Sequence, residues 1–185
     1  MKGGNSMIQL VIPNNEYYDE DKNEFIVLKG GTIQVEHSLV SVSKWESKWK
    51  KPFLTKDRKT IEETIDYVKC MTITQNVKDE LYNNLTNDNI ETISKYIADP
   101  MSATRFYNEK KSTSKEIITS EIIYYSMITY NIPIECQKWH LNRLLTLIKV
   151  FGTKNDKPKK MSRSEIMNRN RELNNQRKQQ LNSNG

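Results

Sequence analysis

The sequence predicts an α+β protein: a small N-terminal antiparallel β-sheet, a mainly α-helical bundle, and a basic C-terminal helical arm. Three observations carry this. Short apolar runs at Met7–Ile12 and Phe25–Leu28 precede a period-two alternation over Ile33–Leu39, and apolar residues recur every three or four residues from Val42 onward. Helix-start signals of the form Ser/Thr-x-x-Glu recur at Ser43, Thr60, Thr113 and Ser162. The positive charge is also segregated. The net charge is +6, and residues 152–185 hold nine basic residues against three acidic ones. The other 151 residues hold 20 of each and are neutral. The expected organisation is a β-rich segment over 1–43, a helical body over 44–151 in the same domain, and a basic linker and C-terminal helix or arm over 152–185.

The elements follow in order. Met7–Ile12 and Phe25–Leu28 are short apolar strands, and Lys29-Gly30-Gly31-Thr32 offers a tight hairpin between the second strand and the third. Ile33–Leu39 alternates, with Ile33, Val35, His37 and Leu39 on the inward face. Pro13–Glu24, with five acids and one lysine, reads as a long solvated acidic loop. Ser43-x-x-Glu46 opens a short helix carrying Val42, Trp45 and Trp49, stopped by Pro52. Thr60-x-x-Glu63 opens the next, with Ile61, Ile65 and Val68 inward. Val77–Leu85 follows Asn76. Asn87–Ala98 follows Thr86, with Ile90, Ile93 and Ile97 inward, and Asp99-Pro100 stops it.

Met101–Ser112 is a connection. Thr113-x-x-Glu116 starts a helix to about Tyr130 whose apolar residues Ile117, Ile118, Ile122, Tyr125 and Ile128 spread around it, which predicts a central position. Pro133 then starts a helix to Val150, with Ile134, Leu141, Leu145 and Ile148 inward, ended by Gly152 and forming an antiparallel hairpin with its predecessor. Beyond the linker 153–160, residues 163–181 favour helix, but Ile166, Met167, Leu173 and Leu181 make too thin a stripe to bury alone. That segment is either a helix that needs a partner or a fraying arm.

The chain carries no P-loop, no G-x-G-x-x-G and no G-x-S-x-G motif, and only six glycines to build a phosphate cradle. No enzyme and no cofactor is expected. A metal site would have to come from His37, Cys70, Cys136 and His140, and their spacing fits no zinc module, so none is expected. Two cysteines fit a reducing compartment and no disulfide framework. No apolar run approaches a membrane span or a signal peptide, and mean hydropathy is −0.77, so a soluble intracellular protein is expected.

Trp139 reads as core. Trp45 and Trp49, set among polar neighbours, are candidate partner anchors, as is the stripe Ile166, Met167, Leu173 and Leu181. The basic arm is carried by Lys159, Lys160, Arg163, Arg169, Arg171, Arg177 and Lys178. These suit a phosphate backbone, but no aromatic lies beyond Phe151 to stack on bases. Docking on an acidic protein surface fits equally well, and nucleic acid is not the favoured partner.

Several strings together resemble a known family. They are His37–Trp49, Glu62–Tyr67, Asp99-Pro100-Met101, Glu116–Glu121, Glu135–Leu145 and the run from Pro158 to Asn170. They resemble the tail assembly chaperones of long-tailed, siphovirus-type bacteriophages, over about Gln34 to the C-terminus. The resemblance implies a non-enzymatic protein that binds the tape measure protein and recruits tail tube protein while the tail polymerises. It implies a place in the host cytoplasm and absence from the mature virion. The family has no catalytic residues to carry over. A structural tail or connector component, a nucleic-acid-binding protein acting through the arm, and a homo-oligomer remain open alternatives.

Overall fold

The computed structural model describes residues 7–20, 23–106, 117–155 and 163–181. The fold is α+β. The chain divides into two compact units, 1–151 and 152–185.

The N-terminal strands form one long hairpin broken in the middle. β1 (Ile8–Ile12) pairs antiparallel with β4 (Gly31–Val35), and β2 (Asn15–Asp19) with β3 (Glu24–Leu28). Ile12 faces Gly31 and Asn15 faces Leu28, three residues further along both strands, so the two ladders share one register. Proline has no N–H to donate, so the ladder lapses where Pro13-Asn14 lies opposite Lys29-Gly30. There Asn14 Oδ1 accepts the Gly30 N–H at 2.7 Å. The backbones approach so closely that a Cβ on Gly30 would lie 2.2 Å from the Ile12 carbonyl oxygen.

The sequence expectation is corrected on three points. The described residues of Pro13–Glu24 are exposed, but the segment is not a loop throughout, since Asn15–Asp19 and Glu24 are strand. Lys29-Gly30 is the break and Gly31-Thr32 opens β4, so no hairpin turn lies there; the chain turns between Asp19 and Glu24, where Asn23 takes the left-handed conformation that asparagine tolerates (φ 52°). β4 ends at Val35, and Leu39 starts a helix. The inward face Ile33, Val35, His37 and Leu39 is nevertheless buried throughout.

α1 (Leu39–Trp49) starts five residues before the expected place. Its cap is Ser38, and the reciprocal box is closed by Ser41 and not by the Ser43/Glu46 pair. Glu46 is buried instead. Its carboxylate accepts the N–H groups of Phe53 at 2.7 Å and Ser120 at 2.8 Å. α2 (Ile61–Met71) opens on the expected Thr60/Glu63 capping box. Ile61 points outward, 80% exposed, because the face α2 turns inward is Glu63, Asp66, Tyr67, Val68 and Met71. The end of α2 covers the outer edge of β4. Glu36 N–H donates to Met71 O and Ile73 N–H to Gln34 O, both at 2.9 Å.

Val77–Leu85 forms only a short 3-10 turn, Asp79–Asn84. α3 (Asn87–Ala98) has the expected bounds, with Thr86 as cap. Thr113–Glu116 lies outside the described residues, and α4 spans only Ser120–Thr129. Its cap residue Thr119 makes no side-chain cap bond to the helix backbone; the Glu46 carboxylate from α1 serves the first turn, where a negative charge also suits the helix dipole. The apolar residues of α4 spread around its axis, yet it buries only Ser120, Ile123 and Met127.

The expected Pro133–Val150 helix is two pieces, a 3-10 turn Ile134–Lys138 and α5 (Leu141–Asn155). The chain is extended between them because His140 bridges Ser38. Ile134 is 54% exposed, and α4 packs on α1 rather than forming a hairpin with α5. Gly152 lies inside α5; no described glycine has the positive φ of a helix stop. α6 (Arg163–Leu181) forms the second unit, and its expected cap Ser162 lies outside the described residues.

A buried polar joint links these elements. His37 donates its N–H to Tyr96 Oη at 3.1 Å, and its C=O accepts Leu141 N–H at 2.8 Å. Its Nδ1 lies 2.5 Å from Tyr67 Oη, and its ring lies edge-on to His140, centroids 5.0 Å apart. His140 Nε2 bonds the Tyr96 carbonyl at 3.0 Å, and its Nδ1 accepts Asn142 N–H at 3.3 Å, capping α5. That pattern requires the neutral ring with its proton on Nε2. Burial, then the neighbouring His140, holds His37 down at about 3, and burial also lowers His140.

Two predictions follow from this geometry. Gly30→Ala forces the strands apart and costs about 1–3 kcal/mol, read as a lowered urea midpoint. The histidines are neutral when folded but charge near 6.5 when free. Their stabilisation is therefore complete above that value and is lost as pH falls below it, for His37 down to about 3 and by up to about 1.4 kcal/mol per pH unit for that ring. Urea melts at roughly pH 7.5 and pH 5 should show this slope, and His37→Gln should flatten it.

Candidate partner-binding surfaces

The structure places the two tryptophan candidates inside the body. Trp45 is 1% exposed, and its indole N–H donates to the Glu63 carbonyl at 2.9 Å. Trp49 is half-buried, stacks on Trp45 with centroids 6.1 Å apart, and donates to Asp66 Oδ2 at 2.8 Å. They stitch α1 to α2, and two lysines reinforce the seam: Lys48 pairs with Asp66, and Lys51 with Glu63 at 2.6 Å. The Lys51 bond, followed by the Thr60 N–H, holds the Glu63 carboxyl below its usual range. Neither ring is offered to a partner as an open anchor. This corrects the expectation, and the physical reason is the pair of buried acceptors that α2 supplies.

The α6 candidates are placed differently. Ile166, Met167, Leu173 and Leu181 are 46%, 65%, 40% and 75% exposed. Arg163, Arg169, Arg171, Arg177 and Lys178 lie on the same helix, all exposed. Lys159 and Lys160 lie outside the described residues. A 19-residue helix this polar gains little from burying its own faces.

Two further apolar surfaces were not foreseen. One is the arm formed by β2 and β3, where Tyr17, Tyr18, Phe25 and Val27 are exposed. Tyr18 sits opposite Phe25 with ring centroids 5.1 Å apart, and the Tyr18 hydroxyl donates to Asn23. Beyond its own pairing, the arm packs chiefly on the Asp79–Asn84 turn, where Asn84 Nδ2 donates to the Leu28 carbonyl at 3.1 Å. The signal was present: a polar stretch, Glu20–Asn23, flanked by Tyr17-Tyr18 and Phe25-Ile26-Val27. The other is the outer side of α4, where Tyr125 and Ile128 are 69% and 74% exposed.

Burial pushes both thiols up, Cys70 and Cys136, so both are protonated at neutral pH and are poor nucleophiles. Of the four residues a metal site would need, His37 and His140 do come together, but their nitrogens serve the joint. Among the described residues, no three His, Cys, Asp or Glu side chains gather to hold a metal ion. No described helix is long and apolar enough to cross a membrane.

Because Trp49 serves as a stitch, Trp49→Phe keeps the ring stack but loses the bond to Asp66. It should cost about 1–2 kcal/mol in a urea melt while leaving any partner binding unchanged. No protein-family model matches this chain, and no curated protein or solved structure matches it either.

Proposed function

We propose that this chain is a non-enzymatic tail assembly chaperone of a long-tailed bacteriophage, which holds the tape measure protein during assembly and recruits tail tube protein. The reading rests on the strings that resemble that family. One structural observation carries it further: α6 is basic and its stripe Ile166, Met167, Leu173 and Leu181 is exposed. A tape measure protein is long, helical and prone to aggregate. A helix with a broken apolar stripe in a cationic field can pair with such a client and keep it soluble. The outer side of α4, with Tyr125 and Ile128, is a second surface of the same kind. The place of action on this reading is the host cytoplasm, and the finished virion lacks the protein.

The basic arm favours one rival reading, in which α6 tracks a nucleic-acid backbone. The two are separable. Co-expression should move the cognate tape measure protein into the soluble fraction, and Ile166→Ser with Leu173→Ser should abolish that rescue without altering the melt of the body. A failed rescue by the full chain refutes the chaperone reading. Binding of duplex DNA or RNA that weakens steeply with salt and vanishes on truncation at Gly152 supports the rival.

A further inference from the structure

We propose that the acidic β2–β3 arm, through Glu16, Glu20 and Glu24, docks into a cationic groove beside Trp45 on a second copy of this chain, so that copies join head to tail.

The arm first. Residues 15–28 hold five acids, Glu16, Asp19, Glu20, Asp21 and Glu24, against Lys22 alone. Glu16, Glu20 and Glu24 are exposed beside exposed Tyr17, Tyr18, Phe25 and Val27. A two-stranded ribbon with bare edges and apolar side chains gains from a partner. Edge-to-edge pairing of two arms would set like charges against one another, which disfavours it. The arm therefore suits a cationic surface with room for an aromatic ring.

The body of the same chain carries such a surface. Residues 44–59 hold seven basic side chains and two acids. One of the acids, Glu46, is buried and spent on backbone N–H groups. A groove of about 330 Å³ runs here, lined by Trp45, Lys51, Pro52, Thr55, Arg58 and Lys59. Its size is at the low end for ligand sites and suits one or two side chains. Asp57 and Glu63 also border it, but the Glu63 carboxylate is taken by Lys51 and the Thr60 N–H.

Lys59 makes the groove hungry for a carboxylate. Its ammonium is half-buried, 4.2 Å from the centroid of the Phe53 ring and 5.6 Å from that of Trp45, and it donates to the Phe53 carbonyl at 2.9 Å. Among the described residues no carboxylate lies within ion-pair distance of it. Burial pushes its pKa down, only partly offset by the more distant charges of Glu63 and Asp57. A desolvated cation without a full counter-charge gains most from an incoming anion. Arg58 lines the groove beside it, and Lys44, Lys50 and Lys56 of the same stretch, also without described ion pairs, add to the positive field that steers an acidic segment in.

Within one copy the arm packs on the Asp79–Asn84 turn and makes no comparable contact with α1 or α2, which frame the groove. A contact between arm and groove therefore joins two molecules through unlike surfaces. Such a contact closes into a ring or runs on as a filament.

The test uses sedimentation velocity on the full chain. At low salt, roughly 0.05 M, the species should grow with protein concentration, and about 0.5 M salt should weaken association by about tenfold or more. Lys56→Glu with Arg58→Glu reverses the groove, and Glu16→Lys with Glu24→Lys reverses the arm. All four residues are exposed, so circular dichroism should show both variants folded. Each variant alone should be monomeric, and an equimolar mixture should associate again, because each reversed surface then meets its complement. A wild-type chain that stays monomeric at every concentration overturns the proposal. So does association insensitive to either reversal, which would mark a different interface or an acidic segment of another protein as the occupant. A mixture that stays monomeric overturns it as well.

Discussion

Everything in the body hangs on His37. The residue sits where the chain leaves β4 and enters α1, and its N–H, C=O and ring reach three other segments: Tyr96 of α3, Leu141 of α5 and Tyr67 of α2. A half-buried strand alone could not orient four helices, because apolar contacts are non-directional. Directional bonds from one buried residue can. The arrangement works only while both rings are neutral, since a proton on His140 Nδ1 would face the N–H of Asn142 it now accepts. Desolvation keeps the proton off. The joint is thus both what fixes the fold and its acid-sensitive point.

α1 is the second consequence. With its start fixed at Ser38, its aromatic and charged residues fall against α2 and α4. Trp45 and Trp49 reach acceptors on α2, and Glu46 reaches the otherwise uncapped start of α4. A carboxylate inside a small body needs donors to offset its desolvation, and two short N–H bonds supply them. The polar neighbours that made the tryptophans look like surface anchors are the groups that hold them inside.

Local chemistry was legible in the sequence where one short-range bond decides it. The Thr60/Glu63 box, the Thr86 cap and the Asp99-Pro100 stop fix α2 and α3 within their own neighbourhoods. Legibility failed where a distant partner decides. Nothing near Glu46 reveals that Ser120, seventy-four residues on, will use it. Nothing near His140 reveals that Ser38 will hold it extended and split the expected last helix of the body. α4 could not be read either, because its apolar residues spread around the axis and give no sign of which face a neighbour will take. For the surfaces, the sequence separated the basic C-terminal unit cleanly, since charge is counted without folding. It misplaced the aromatic surface, since the same residue type serves core and interface.

The neutrality of the first 151 residues then acquires a different sense. Twenty charges of each sign cancel in the sum, yet they are unevenly placed. Residues 15–28 hold five acids and one lysine, and residues 44–59 hold seven cations, of which only Lys48 and Lys51 form described ion pairs. Charges left to chance on a surface pair locally, as Lys95 does with Glu91 one helical turn away. Segregation of this kind loses that local pairing and retains a field that acts between molecules. A body that keeps Trp45 and Trp49 for its own helices leaves apolar residues exposed on the arm and on the outer side of α4. Charge placement, with a few aromatic residues at the tip of a ribbon, is the means it keeps for choosing a partner.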